Sequence, residues 1–228
     1  MTSSFPFDAV LFDCDGVLVD SEPITNRVLR DMMEELGWVL TLEECMAIFV
    51  GKAVKDEAAQ IRDRTGFAIT PEWLSTFRER RNAALERELL AVPGAVSAAR
   101  ELHARLGGRI ACASGADLPK VKLQLAKVGL APYFENHVFS GHDLPRSKPF
   151  PDVYLAAARA LGVDPKRCAV VEDTVTGARA GLAAGATVFG YSPGGLSHSS
   201  AAALREVGVS QIFVDMAQLP ALLAAQHA

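Results

Sequence analysis

Two aspartates end the first apolar run of the chain. Asp13 and Asp15 follow the segment AVLF, with Cys14 between them and Gly16 directly after. Two carboxylates this close together repel each other unless a positive charge lies between them. The pattern therefore points to a site that holds a cation.

Further polar side chains follow later apolar runs. Ser114 and Gly115 follow RIACA, Lys148 lies in the irregular stretch SGHDLPRSKPFPD, and Glu172 and Asp173 follow CAVV. If these runs are parallel strands, their carboxyl ends meet at one edge of a sheet. We expect four carboxylates, one hydroxyl and one ammonium to converge there.

The formal charge of this edge limits what it can bind. Four ionised carboxylates carry four negative charges, and Lys148 returns only one positive charge. Such a site is tenable only with a bound cation, and its oxygen ligands suit Mg²⁺. The sequence thus predicts a magnesium site for phosphoryl chemistry, in which the neutralisation of charge is the main task.

Short apolar runs alternate with helix-like segments through most of the chain. Strands are predicted at residues 9–13, 109–114, 137–140, 168–173, 187–191 and 211–215. Several of the intervening segments end in glycine, the usual residue after a helix. The alternation predicts an α/β fold with a mainly parallel sheet and helices on both faces.

The region from about residue 24 to residue 90 has helical periodicity and no strand pattern. Thr70 and Pro71 predict the start of one helix there, as the N-cap and the first helical residue. The region is much longer than an ordinary connection between strands. We therefore expect a core of residues 1–17 and 92–228 with an inserted helical domain of residues 18–91.

Composition argues against several classes of protein. Of the 228 residues, half are hydrophobic, and the net charge of −4 disfavours a nucleic-acid-binding surface. The basic cluster at residues 78–81 is interpreted as a solvated helix face. No targeting segment or membrane-spanning apolar run is present, so a cytoplasmic protein without membrane partners is expected. A monomer or a small homo-oligomer is expected.

The four cysteines show no metal-binding or redox spacing. None forms a CxxC pair, and no arginine follows Cys14 at the spacing that a thiol phosphatase loop requires. Three of the four lie in apolar strand-like runs, where a cysteine usually behaves as a small buried hydrophobic residue: Cys14, Cys112 and Cys168; the fourth is Cys45.

Four segments resemble the four signature motifs of the haloacid dehalogenase superfamily. In chain order they are FDCDGVLVDSE, ACASGAD, SKPFPD and VVEDT. More narrowly, the chain resembles the subgroup in which a helical cap follows the first motif, which includes β-phosphoglucomutase and many sugar-phosphate phosphatases. The resemblance covers essentially the whole chain and implies a Rossmann-like core with an inserted α-helical cap.

The resemblance implies roles for the residues that follow the first two strands. Asp13 would be the nucleophile that forms an aspartyl-phosphate, and it would also ligate Mg²⁺. Asp15 would protonate the leaving alcohol and then activate water, while its backbone carbonyl binds the metal. Ser114 and nearby backbone N–H groups, including that of Gly115, would hold the phosphoryl oxygens.

It implies further roles for residues later in the chain. Lys148 would neutralise charge on the nucleophile and the phosphoryl group. Asp173 would bind Mg²⁺, with Glu172 as a second or water-mediated acidic partner. In the cap, Lys52 after Gly51 is the candidate for a substrate contact, and the alternative for this residue is a solvated lysine.

The presence of Asp15 favours phosphoryl transfer to or from oxygen, because dehalogenases and phosphonatases of the superfamily lack an aspartate there. We expect a Mg²⁺-dependent phosphatase acting on a small phosphorylated metabolite, such as a sugar phosphate or sugar-acid phosphate. One alternative is a β-phosphoglucomutase-like mutase. Such mutases usually carry a cap arginine shortly after the position of Lys52, and the lack of an arginine between Lys52 and Arg62 weakens this alternative. Another is a catalytically silent binding or regulatory homologue, which would be expected to lack at least one of the catalytic residues.

Overall fold

Six strands form one parallel sheet in the computed structural model, which describes residues 5–226. The strands are β1 (Ala9–Phe12), β2 (Ile110–Ser114), β3 (Val138–Ser140), β4 (Cys168–Glu172), β5 (Thr187–Tyr191) and β6 (Gln211–Phe213). Each coincides with a predicted run to within two residues at either end. The predicted α/β fold with a parallel sheet is confirmed.

The chain folds into two compact units. The core unit consists of the residues up to Asp20 together with those from Leu90 onward, and the second unit is Ser21–Leu89. The helices of the second unit are α1 (Glu22–Glu35), α2 (Leu42–Phe49), α3 (Ala58–Thr65) and α4 (Pro71–Glu88). Those of the core unit are α5 (Ala95–Arg105), α6 (Leu118–Lys127), α7 (Ala131–Phe134), α8 (Asp152–Ala160), α9 (Val175–Ala183), α10 (Ala201–Glu206) and α11 (Leu219–Ala224).

The sheet of the core unit is buried on both faces. All residues of β1, β2 and β4 are buried, as the continuous apolarity of their sequences predicts. Alanines of α8 and α9 pack with side chains of β1 and β4 in one apolar cluster, because small residues let a helix approach a sheet closely. The central strands are therefore fixed by packing from both sides.

The strand order places a crevice at the end of β1. The order is β3-β2-β1-β4-β5-β6, so the direction of winding reverses between β1 and β4. In open parallel sheets, ligands bind outside the carboxyl ends of the strands at such a reversal. Phe12 is level with Val171 in the sheet, and the N–H of Asp13 donates to the carbonyl of Val171 at 3.0 Å. The register thus sets Asp13 beside the end of β4.

The second unit is helical and has its own core. Its apolar cluster joins residues of α1–α4, and no strand occurs in residues 21–89, all of which the structure describes. Thr70 caps α4 by accepting a hydrogen bond from the N–H of Trp73, and Pro71 is the first residue of that helix, as predicted. The basic cluster at residues 78–81 is only partly the solvated face that was predicted. Arg81 is buried, and its guanidinium lies over the Phe77 ring.

No helix within residues 5–226 is both long enough and apolar enough to cross a membrane.

Candidate active site

Lys148 joins two carboxylates at the carboxyl edge of the sheet. Its Nζ lies 2.6 Å from Oδ1 of Asp13 and 2.6 Å from Oε1 of Glu172. At most a tenth of each of these three side chains is exposed. Three groups that the sequence predicted to converge are therefore in direct contact.

Glu172 is held by protein donors on both of its oxygens. Besides Lys148, the hydroxyl of Tyr154 donates to Oε1 at 2.7 Å. Oε2 accepts from the N–H of Asp173 and from both the N–H and the hydroxyl of Thr174, at 3.1–3.2 Å. These five hydrogen bonds fix the Glu172 carboxylate and compete with a ligand for its oxygens.

Two glycines allow the acidic side chains to lie where they do. A β-carbon at Gly177, in the first turn of α9, would be 1.7 Å from Oε1 of Glu172. At Gly16, where φ is +80°, a β-carbon would lie 2.2 Å from Oδ2 of Asp173. Only glycine fits these two close approaches.

Three buried carboxylates could hold a metal ion. Asp13, Glu172 and Asp173 each offer an oxygen, and these oxygens lie within 4.8 Å of one another. Clustered carboxylate oxygens are the ligands that Mg²⁺ prefers, and a divalent cation would relieve their mutual repulsion. The residues present therefore fit the predicted ion.

The pKa values at this edge reflect burial and crowding of charge. Burial raises the pKa of Asp13 to about 7; the ammonium of Lys148 opposes this rise, and the carboxylates of Glu172 and Asp15 add to it. Burial works to lower the pKa of Lys148, but Asp13 and Glu172 outweigh it and raise that pKa well above its usual range. Lys148 is therefore held as an ammonium, and further positive charge beside Asp13 favours the carboxylate form of Asp13.

Asp15 has two partners that sequence reasoning missed. Nζ of Lys120 and Nε2 of Gln124 donate to Oδ1 of Asp15 at 2.8 Å and 2.7 Å. This edge therefore carries two ammonium groups instead of the predicted one. Against four ionised carboxylates they leave two negative formal charges, which is the charge that one divalent cation neutralises. The available signal was the i, i+4 spacing of Lys120 and Gln124 on α6, which starts just after β2.

Ser114 ends β2 in the row of strand ends that includes Asp13. It is buried, and its hydroxyl accepts from the N–H of Ala116 at 3.0 Å, while the hydroxyl of Ser140 donates to the carbonyl of Ala116 at 2.7 Å. Gly115, which lies between Ser114 and Ala116 in the chain, is exposed. The turn after β2 is therefore fixed with its backbone open at Gly115.

The loop after β5 supports the acidic residues through their backbone. Nε2 of His198 lies 3.0 Å from the carbonyl oxygen of Gly16. The N–H of Ser199 donates to the carbonyl of Asp173, and its hydroxyl accepts from the N–H of Val175. Sequence reasoning missed this loop, which carries no motif.

Lys52 lies in the second unit, after α2. Its Nζ is 3.0 Å from Oε1 of Glu57, and about half of its side chain is exposed (49 %). Its assignment as a substrate contact stays a prediction.

Comparison with known proteins gives consistent matches. A family model described as haloacid dehalogenase-like hydrolase matches residues 7–185. The 6-phosphogluconate phosphatase of Escherichia coli K12 is 32 % identical over 183 residues, covering 80 % of this chain and 81 % of that protein. Hexitol phosphatase A of the same organism is 34 % identical over 180 residues, covering 78 % and 80 %. A crystal structure of a HAD family hydrolase from Deinococcus radiodurans R1, with bound phosphate and sodium, matches with a TM-score of 0.79 and 39 % identity over 96 % of both chains.

Proposed function

This chain belongs to the haloacid dehalogenase-like hydrolases, and from that premise we propose that it is a Mg²⁺-dependent phosphatase of a small phosphorylated metabolite, acting through an aspartyl-phosphate on Asp13. The observation that carries the proposal is the contact of Lys148 with both Asp13 and Glu172 at 2.6 Å, at the reversal point of the sheet. A buried carboxylate paired with a fixed ammonium suits attack on a phosphate ester, because the ammonium offsets the repulsion between two anions.

Mg²⁺ would be held by the carboxylates of Asp13 and Asp173 and by the backbone carbonyl of Asp15. When bound, the ion would neutralise charge on the transferring phosphoryl group. Glu172 would act from behind this set, since the protein already supplies five donors to its two oxygens.

In the first step, the carboxylate of Asp13 attacks phosphorus while the bond from phosphorus to the alcohol oxygen breaks. Asp15 gives its proton to that oxygen as the alcohol leaves. Lys148 offsets charge on the nucleophile, and Ser114 with the backbone N–H of Gly115 binds phosphoryl oxygens. The products of this step are the free alcohol and a phosphorylated Asp13.

In the second step, water attacks the phosphorus of the aspartyl-phosphate. Asp15, now a carboxylate, takes a proton from that water, and the bond between phosphorus and the Asp13 oxygen breaks. Inorganic phosphate leaves, and both aspartates return to their starting states. One carboxyl group thus serves as acid and then as base.

A sugar phosphate or sugar-acid phosphate is the substrate class we propose. Support comes from the named activities of the relatives, a 6-phosphogluconate phosphatase and a hexitol phosphatase. The bound phosphate in the Deinococcus radiodurans structure supports a phosphate-binding site in a chain of this fold.

Phosphate release from a panel of phosphorylated metabolites with Mg²⁺ present tests the proposal. We expect the wild-type protein to hydrolyse sugar or sugar-acid phosphates and Asp13→Asn to lose at least about a thousandfold in activity. Asp143→Asn, which removes an exposed carboxylate from the same unit, is the matched control and should retain activity. A folded wild-type protein that releases phosphate from no member of the panel would overturn the proposal.

The mutase alternative is tested with β-glucose 1-phosphate. A phosphatase releases inorganic phosphate from it, or leaves it unchanged if it is a poor substrate. Efficient conversion to glucose 6-phosphate would replace the phosphatase proposal with the mutase.

A further inference from the structure

We propose that Lys120 and Gln124 are positioning residues that aim the carboxyl group of Asp15 for its proton transfers. The inference rests on the proposed function, because it gives Asp15 the role of acid and base. It concerns two residues of α6, outside the four motifs that define the site.

Two donors of different type meet at one oxygen. Nζ of Lys120 and Nε2 of Gln124 lie 2.8 Å and 2.7 Å from Oδ1 of Asp15. The two residues are one helical turn apart on the same face of α6, whose start is capped by the Asp117 side chain on the N–H of Lys120. A rigid helix therefore contacts Asp15 at two points.

Both donors to Asp15 are buried side chains. Lys120 is 5 % exposed and Gln124 is fully buried. A lysine normally keeps its ammonium in water, and a buried ammonium is tolerated only with a paired carboxylate. The ion pair with Asp15 thus holds the Lys120 ammonium largely out of water.

Cys14 defines the orientation of the Gln124 amide. Sγ of Cys14 lies 3.4 Å from Oε1 of Gln124, so the thiol faces the carbonyl end and the NH₂ end faces Asp15. The residue between the two catalytic aspartates thereby has a contact of its own within the site. With both ends of the amide engaged, Gln124 is pre-organised as a donor.

Position matters because proton transfer requires contact distances. A general acid acts within about 2.6–3.2 Å of the atom that it protonates, and a displacement of about 1 Å can cost about a hundredfold in rate. Asp15 lies beyond the end of β1, next to Gly16 with its positive φ, and is only partly buried. The two donors of α6 therefore hold its side chain at a point where the strand has already ended.

The test compares two phosphate esters of similar shape, p-nitrophenyl phosphate and phenyl phosphate. The p-nitrophenolate ion leaves readily without a proton, whereas phenolate is a stronger base and needs one from Asp15. Because kcat/KM reports the steps up to release of the first product, it isolates proton donation from the later hydrolysis of the aspartyl-phosphate.

We expect Lys120→Met and Gln124→Leu to lower kcat/KM for phenyl phosphate by about a hundredfold and for p-nitrophenyl phosphate by less than about tenfold. Lys122→Met, which removes an exposed charge from the same helix, is the matched control and should change neither value. Thermal unfolding checks that each variant is folded. If Lys120→Met does not fold, Gln124→Leu, which removes no charge, decides the outcome.

An equal loss for both esters, or no loss for either, would overturn the inference while leaving the proposed function in place. A wild-type protein that hydrolyses neither ester nor any member of the metabolite panel would overturn the proposed function, and this inference with it.

Discussion

Gly16 and Asp173 approach so closely that a β-carbon at position 16 would lie 2.2 Å from Oδ2 of Asp173. The two residues follow β1 and β4, the strands on either side of the reversal point. Glycine at position 16 is thus required for two reasons: its φ is positive, and a side chain there would collide with the carboxylate of Asp173.

Gly16→Ala is therefore expected to impair catalysis, because the new methyl group must displace the Asp173 carboxylate. Gly129→Ala is the matched control: its φ of +74° imposes similar backbone strain, but a β-carbon there meets no atom within 4 Å. Both variants should lose about 1–2 kcal/mol of unfolding free energy from the left-handed conformation. Only Gly16→Ala should lose more than about tenfold in phosphatase activity. Equal activity of the two variants would contradict the assignment of Asp173 to the site.

Removal of Mg²⁺ should abolish activity and lower thermal stability. An ion that binds only the folded protein adds about 2.7 kcal/mol at a hundred times its dissociation constant, so addition of Mg²⁺ should raise the Tm. Asp173→Asn should weaken this stabilisation strongly, since it removes a proposed ligand from the cluster of three carboxylates. Thermal unfolding across a Mg²⁺ titration measures the effect, with Asp143→Asn as control. Unchanged Mg²⁺ stabilisation in Asp173→Asn would exclude that residue as a ligand.

Tyr154→Phe should lower stability by about 1–3 kcal/mol, because a hydroxyl that donates to the buried Glu172 carboxylate is lost. Burial raises the pKa of Tyr154 well above its usual range, so the hydroxyl is a neutral donor at every working pH. Urea unfolding measures the change, and Tyr133→Phe, at a half-buried ring, is the control. If Tyr154→Phe unfolds at the wild-type urea concentration, the hydrogen bond to Glu172 contributes nothing to the fold.

The cysteines should be unreactive in the folded protein, because all four are buried. Burial raises the pKa of Cys45 to about 11 and that of Cys168 to about 12. A hydrogen-bonding contact with Cys112, together with burial, raises the pKa of Cys14 well above its usual range. Since only the thiolate reacts, a disulfide reagent at mildly alkaline pH should label no thiol in native protein and all four in urea. Fast labelling of Cys14 in native protein would contradict the interpretation that it is a core residue.

Much of the site could be predicted from the sequence because the sheet itself arranges it. Continuous apolar runs identify the buried strands, and parallel pairing brings their carboxyl ends to one edge. The contact between Asp13 and Glu172 through Lys148 follows from that topology, together with the recognition of Lys148 as part of a motif.

The partners on helices could not be predicted in the same way. Lys120 and Tyr154 lie in amphipathic segments, where a lysine is ordinarily solvated and a tyrosine ordinarily packs in the core. Which helix face meets the strand ends depends on the rotation of the helix against the sheet, and a single sequence does not give that rotation. Arg81 was misjudged for a related reason, because its helix face is buried and its guanidinium lies over the Phe77 ring.

The central claim is that the reaction passes through a phosphorylated Asp13, and rapid acid quenching with a radiolabelled phosphate ester tests it most directly. We predict that wild-type protein with Mg²⁺ retains label covalently, that hydroxylamine releases the label as it does from acyl-phosphates, and that Asp13→Asn retains none. Active wild-type protein that never carries label under quenching on the timescale of turnover would contradict the account, as would label of equal amount on Asp13→Asn.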